Sequence, residues 1–202
     1  MSRARPWLLA GWLSGCAAAG SGEAPAPEEL ALLGRQSTIL VGLRSFEDEG
    51  FDRLDDQLAL GLDFLQPIGL RHLRLEGGLH YSFDEANGTE SGGDGVELHS
   101  ETYELTTGVN AAVLWRRLRP YLGAGGSLLL VNLRGIDASD EVFHDEDVTV
   151  GAYVKVGLLF QVTGSVHVGL ELRHLEAGDL ALGDDDVDGS YDQVVLVFGA
   201  SF

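Results

Sequence analysis

Three groupings in this sequence carry side chains capable of chemistry. His80 and Ser82 stand two apart in "LHYSF", so on an extended chain they share a face, and Glu76 lies on that face too. With Glu104 from a later segment, they could supply a nucleophile, a base and an orienting carboxylate. Hydrogen bonding inside the fold explains the same residues more simply, so no enzymatic activity is expected. The second grouping is "DDDVDG", in which Asp184, Asp186 and Asp188 precede Gly189 in the manner of the first half of a calcium loop. Its twelfth position is Val195 instead of glutamate, and no helical pattern flanks it. A solvated acidic loop with loose divalent affinity is the simpler reading, and Ca²⁺ is the one candidate cofactor. The remaining histidines, His72, His99, His144, His167 and His174, show no metal-ligand spacing.

The third grouping is a set of charges spaced through otherwise apolar segments: Arg44, Asp63, Arg74, Glu76, Glu104, Lys155, Glu171 and Arg173. Each occupies the polar face of a period-two pattern, as in "RHLRLEGGLHYSF" from Arg71 to Phe83. That pattern recurs at roughly 37–46, 57–66, 71–83, 97–115, 120–133, 148–162, 165–176 and 191–202, which predicts eight antiparallel strands. The connections alternate in size. "PIGLR", "RRLRP" and "TGS" are tight turns, whereas "EDEGFDRLDD", "DEANGTESGGDG", "GIDASDEVFHDEDV" and "EAGDLALGDDDVDGSY" are long and acidic. Short turns on one rim and long loops on the other are the layout of an up-and-down transmembrane barrel. The long loops hold most of the 32 acidic residues, and the short turns carry Arg71, Arg116, Arg117 and Arg119.

An eight-stranded barrel has an interior just wide enough for side chains to fill. The eight charges are balanced in sign and interleaved with glycines such as Gly42, Gly61, Gly78 and Gly108, so they suit that interior, paired. The apolar face then meets lipid. On the fifth strand Leu122, Ala124, Leu128 and Leu130 are assigned outward and Gly123, Gly125 and Ser127 inward. The last outward aromatics of the strands that run toward the short turns are Phe64, Trp115, Phe160 and Phe202, a ring at one membrane interface; Tyr81, Phe83 and Tyr103 sit near the opposite rim.

Totals narrow the field. The 202 residues carry 32 acids against 13 Lys and Arg, a formal charge of -19, which excludes a phosphate-seeking nucleic-acid binder. One cysteine permits no internal disulfide. No apolar run reaches the ~18 residues of a membrane helix, which leaves barrels open. Residues 1–15, with Arg3, Arg5 and an apolar stretch from Trp7 to Leu13, read as an export signal. Leu13-Ser14-Gly15-Cys16 resembles the bacterial lipobox, which implies lipidation of Cys16; cleavage after Ala17–Ala19 is the alternative. Residues 16–36 read as a flexible tether, and 37–202 as the barrel.

Over 37–202 the chain resembles the small eight-stranded outer-membrane barrels of the OmpA/OmpW-like class. "PYLGAGGS" (Pro120 to Ser127) is similar to a Pro-Tyr-x-Gly-x-Gly strand of those barrels, and "VVLVFGASF" to their final strand. The resemblance implies that Phe202 is read by the barrel-assembly machinery. Barrel lipid-A deacylases show His-x-Ser-Asn where this chain has Phe83 after Ser82.

The expectation is a monomeric, non-enzymatic barrel in the cell outer membrane, with its N-terminus periplasmic and its loops extracellular. Its expected contacts are membrane lipid, divalent cations and lipopolysaccharide, in an envelope-structural or surface-interaction role. The rivals are a narrow channel for small or apolar solutes and a lipid-anchored lipocalin-like binder. A lipocalin's Gly-x-Trp is absent from the first strand.

Overall fold

The computed structural model describes residues 34–46, 56–70, 72–89, 95–136, 142–182 and 185–202. They form ten strands: β1 (Gln36–Phe46), β2 (Asp56–Pro67), β3 (Leu73–Thr89), β4 (Gly95–Ala112), β5 (Leu118–Ile136), β6 (Val142–Gln161), β7 (Val166–Ala177), β8 (Asp179–Leu182), β9 (Asp185–Asp188) and β10 (Tyr191–Ser201). Eight of them close into an antiparallel barrel in the order β1-β10-β7-β6-β5-β4-β3-β2, while β8 and β9 form a separate hairpin. Each barrel strand therefore pairs with its neighbour in the chain, and β1 with β10 closes the cylinder.

The alternation is clean and its sense is inverted relative to a water-soluble protein. On β10 the burial pattern alternates from Tyr191 onward, with Val194, Leu196 and Phe198 outward and half exposed. The same holds for Leu58, Leu60, Leu62 and Phe64 on β2, and for Val154, Val156, Leu158 and Phe160 on β6. Leu122 and Leu128 face out on β5 while Ser127 is buried. Such a belt exceeds by far the few hundred Å² of contiguous apolar surface that a soluble monomer exposes, and it matches a hydrocarbon surround. An apolar-lined, solvated cup of the lipocalin type would need the opposite arrangement.

At the short-turn end, Phe64, Trp115, Phe160 and Phe202 are all exposed. The turns there are tight. Trp115 and Leu118 exchange backbone hydrogen bonds of 2.8 and 2.9 Å around Arg116, which has φ 58, and Gly69 takes φ 82 beside Pro67.

Three sequence expectations need correction. The long segments expected as loops are in good part strand: β3 and β4 run to a pairing of Thr89 with Gly95, and β5 with β6 to Ile136 with Val142. Acidic composition masks strand there because those segments lack the alternation of apolar and polar residues that announces a strand. The seventh and last connection, between β7 and β10, folds back as the β8–β9 hairpin. And β5 begins at Leu118, which puts Arg119 in the barrel wall with its side chain buried at 3% exposure, not on the turn.

Candidate functional site in the barrel interior

All eight charged residues expected inside are buried there. Their arrangement follows from strand register. Inward positions recur every second residue, so β3 presents Arg74, Glu76, His80 and Ser82 at successive heights, and β4 meets them with Asn110, Glu104 and Thr102. Small residues between them make room. A Cβ at Gly108 would collide with the Tyr153 hydroxyl, and one at Gly157 with the Tyr121 ring.

Two knots organise the network. In the upper one Glu104 accepts from Arg44 Nη2 at 2.7 Å and Tyr191 Oη at 2.6 Å on one oxygen, and from Arg173 Nη2 and Ser127 Oγ, both at 2.6 Å, on the other. Each guanidinium also lies over a tyrosine ring: Arg44 over Tyr191 and Arg173 over Tyr153, about 4 Å from the ring centres. In the lower knot Lys155 Nζ meets three carboxylates, Asp63 at 2.9 Å, Glu76 at 2.7 Å and Glu171 at 3.2 Å. Tyr153 and Tyr121 donate to Glu76 and Glu171 at 2.9 and 2.6 Å.

His80 joins the knots. Arg173 Nη1 can only donate, so His80 Nδ1 accepts it at 2.9 Å and Nε2–H points to Asp63 Oδ1 at 2.8 Å. Both ring nitrogens are thereby occupied, and Ser82 Oγ donates elsewhere, to Gln57 Oε1 at 2.7 Å. His80 and Ser82 share a face but make no nucleophile–base contact, and both are almost wholly buried.

Layers above and below complete the filling. Toward the short turns, Leu40, Ala112, Tyr121, Leu159, Val195 and Val197 form an apolar floor. Arg74 and Arg119 also lie at that end, both donating to Gln36 Oε1 at 2.8 Å. A cavity of ≈ 20 Å³ between Arg74, Asn110, Lys155 and Glu171 has room for about one water. Toward the long loops, Phe46, Leu129, Val131, Leu175 and Tyr191 form a second apolar layer, and the β8–β9 hairpin lays Leu180 and Val187 into it, at 0% and 8% exposure.

That hairpin is tethered by Asp147, whose Oδ2 accepts the Ala181 amide at 2.6 Å. Asp147 sits above the apolar belt, and the amides of Ala181 and Val148 hold its carboxyl below the ordinary value. A depressed carboxyl pKa stabilises above the unfolded value and loses that contribution as pH falls through the folded one. Below about pH 4, the Ala181 amide is therefore expected to exchange with solvent faster relative to barrel amides. Asp147→Ala should abolish this pH dependence; hydrogen exchange read by mass spectrometry decides it.

Of the candidate calcium ligands, Asp184 and the side chain of Asp186 lie outside the described residues, and Asp188 Oδ1 accepts the Ser190 amide at 2.9 Å. No cluster of His, Cys, Asp and Glu among the described residues is spaced to hold a metal. Cys16 and residues 1–33 also fall outside the described residues. Phe202 is exposed and its amide donates to the Arg35 carbonyl at 2.9 Å.

A scan against protein-family models and a search of curated proteins found no match. Solved structures do match. Neisserial surface protein A is 14% identical with a TM-score of 0.58, over 83% of this chain and 96% of that one. OprG, an outer membrane protein from Pseudomonas aeruginosa, is 13% identical with a TM-score of 0.59, over 84% and 96%. The attachment invasion locus protein Ail of Yersinia pestis, solved with the heparin analogue sucrose octasulfate, is 13% identical with a TM-score of 0.55, over 84% and 99%. The chain thus has the fold of small eight-stranded outer-membrane barrels.

Proposed function

We propose that this protein is a non-conducting, non-enzymatic barrel of the outer membrane that works through its outer surface and acidic loops, in an envelope-structural or surface-interaction role. The observation that carries the reading is the filled interior: two ion-pair knots between two apolar layers, with a hairpin laid into the outer one. In this reading the short turns and the N-terminal tether face the periplasm, Cys16 is lipidated, and Phe202 is recognised during assembly. The anionic loops face outward, where divalent cations, Ca²⁺ among them, screen them loosely.

The competing reading is a narrow channel, and conductance separates the two. Refolded protein in a planar bilayer is expected to give a flat current; regular unitary steps would establish the channel. Heating is expected to shift its gel mobility, as it does for a detergent-resistant closed barrel, and Ser82→Ala is expected to leave membrane lipid composition unchanged.

A further inference from the structure

A gap in the outward surface has no backbone explanation. Gly77, Thr107, Gly126 and Ala152 are successive cross-strand partners on β3, β4, β5 and β6, all facing out. Above and below that row stand large apolar side chains, Leu79, Leu105, Leu128 and Val150 on one side and Leu75, Val109 and Val154 on the other. At Thr107 and Gly126 the row leaves a depression of ≈ 540 Å³ walled by Leu105, Leu128 and Val150. Neither glycine is required by its conformation, since neither has positive φ. A Cβ on Gly77 or Gly126 would meet one carbonyl oxygen, 3.8 Å away.

Further along β5, past the outward Leu130, come Asn132 and then Arg134. Arg134 lies about 26 Å along the strand from Gly126, or roughly 20 Å in height at barrel tilt. That puts Arg134 at the headgroup level and Gly126 near the middle of the apolar belt. Arg134 is exposed, and it makes no ion pair among the described residues. Its cross-strand neighbours are His99 and His144. Asn132 faces outward yet is only 8% exposed, and its Oδ1 has no partner. A basic group above, a buried acceptor awaiting a donor beside it and an apolar slot below make up the outline of a phosphorylated, hydroxyl-bearing amphiphile.

We propose that this face of β4, β5 and β6 binds one lipid A unit of lipopolysaccharide, with a phosphate at Arg134, a glucosamine hydroxyl donating to Asn132 Oδ1 and an acyl chain ending in the depression at Gly126. The choice of lipid rests on the outer-membrane placement above, which puts the loop-side leaflet outermost. Two carboxylates flank Asn132. Glu101 is turned to the Tyr81 hydroxyl at 3.1 Å and to His99 at 3.4 Å. Glu146, an exposed residue on the other flank, opposes a phosphate, so Mg²⁺ is expected to strengthen binding.

Native mass spectrometry of the detergent-solubilised protein, with Mg²⁺, tests this against bisphosphorylated lipid A, dephosphorylated lipid A and phosphatidylglycerol. Bisphosphorylated lipid A is expected to bind about tenfold better than either alternative, as suits one charge-assisted contact. Arg134→Gln should remove most of that advantage. Gly126→Leu, which fills the slot without touching a charge, should weaken binding several-fold for both forms of lipid A. The heat-modifiable gel shift monitors folding of each variant. Equal binding of the phosphorylated and dephosphorylated forms overturns the proposal, as does parental binding by both variants or phosphatidylglycerol matching lipid A. A protein that stays monomeric without detergent would instead remove the membrane placement, a result distinct from indifference to lipid A.

Discussion

Replacing Glu104 by alanine is expected to cost about 3–5 kcal/mol of unfolding free energy, the range for stripping the partner from a buried charge. Glu104 is the only carboxylate contacting Arg44 in the described network, and Arg173 reaches it at 2.6 Å. With its carboxylate gone, two guanidiniums remain at 0% side-chain exposure in one section of the barrel. Tyr191 and Ser127 lose their acceptor as well. Glu104→Gln keeps an acceptor and removes the charge, so it should cost less than alanine. The readout is the urea midpoint of the detergent-folded protein, followed by gel mobility, with both variants unfolded from the same micelle. An alanine variant within about 1 kcal/mol of the parent would mean that the two arginines are hydrated or paired otherwise.

Lys155→Met is the second large expectation, again about 3–5 kcal/mol. Here the failure is anionic: Asp63, Glu76 and Glu171 converge on one ammonium within 3.2 Å. Their other donors, His80, Tyr153 and Tyr121, supply hydrogen bonds without a full charge at the same spot. The pairing logic predicts partial rescue, because adding Glu171→Gln to Lys155→Met removes one of the three uncompensated carboxylates, and with it two of their three pairwise repulsions. A double variant less stable than Lys155→Met alone would show that packing of the Lys155 stem, and not charge, sets the cost. Since Asp63 and Arg173 both contact His80, the Glu104 and Lys155 effects are expected to be non-additive in a combined variant.

Much of this architecture was legible because a two-residue period allows no ambiguity of face. Arg74 and Glu76 are separated by Leu75, so once hydrocarbon is assigned to Leu75 the charges must point inward, and they do. What stayed hidden has physical causes. Tyr121, Tyr153 and Tyr191 are donors to interior carboxylates. Aromatics in a barrel sequence suggest a girdle, and only the three-dimensional position of an acceptor reveals a buried hydroxyl. Arg119 reads as a turn residue beside Arg116 and Arg117 because a turn boundary shifted by two residues is invisible in composition. Leu180 and Val187 lie in an acidic stretch with too few apolar residues to announce a strand, and they are anchored by long-range packing on Leu129, Val131 and Tyr191.

The seam between β1 and β10 joins residues from opposite ends of the described chain, Gln36 with Ser201, through eleven paired positions and a side-chain bond of 3.0 Å from Gln36 Nε2 to Ser201 Oγ. Every other barrel pairing forms between neighbours in sequence, so this closure carries the greatest sequence separation and should be the slowest contact to form. It also places Arg35 and Phe202 within one backbone hydrogen bond. A circular permutant that links these positions and opens the chain at the tight turn near Gly69 would make the seam a local hairpin. Such a permutant is expected to reach the same cylinder faster, and comparing refolding rates would measure how much of the kinetic barrier lies in closing the ring.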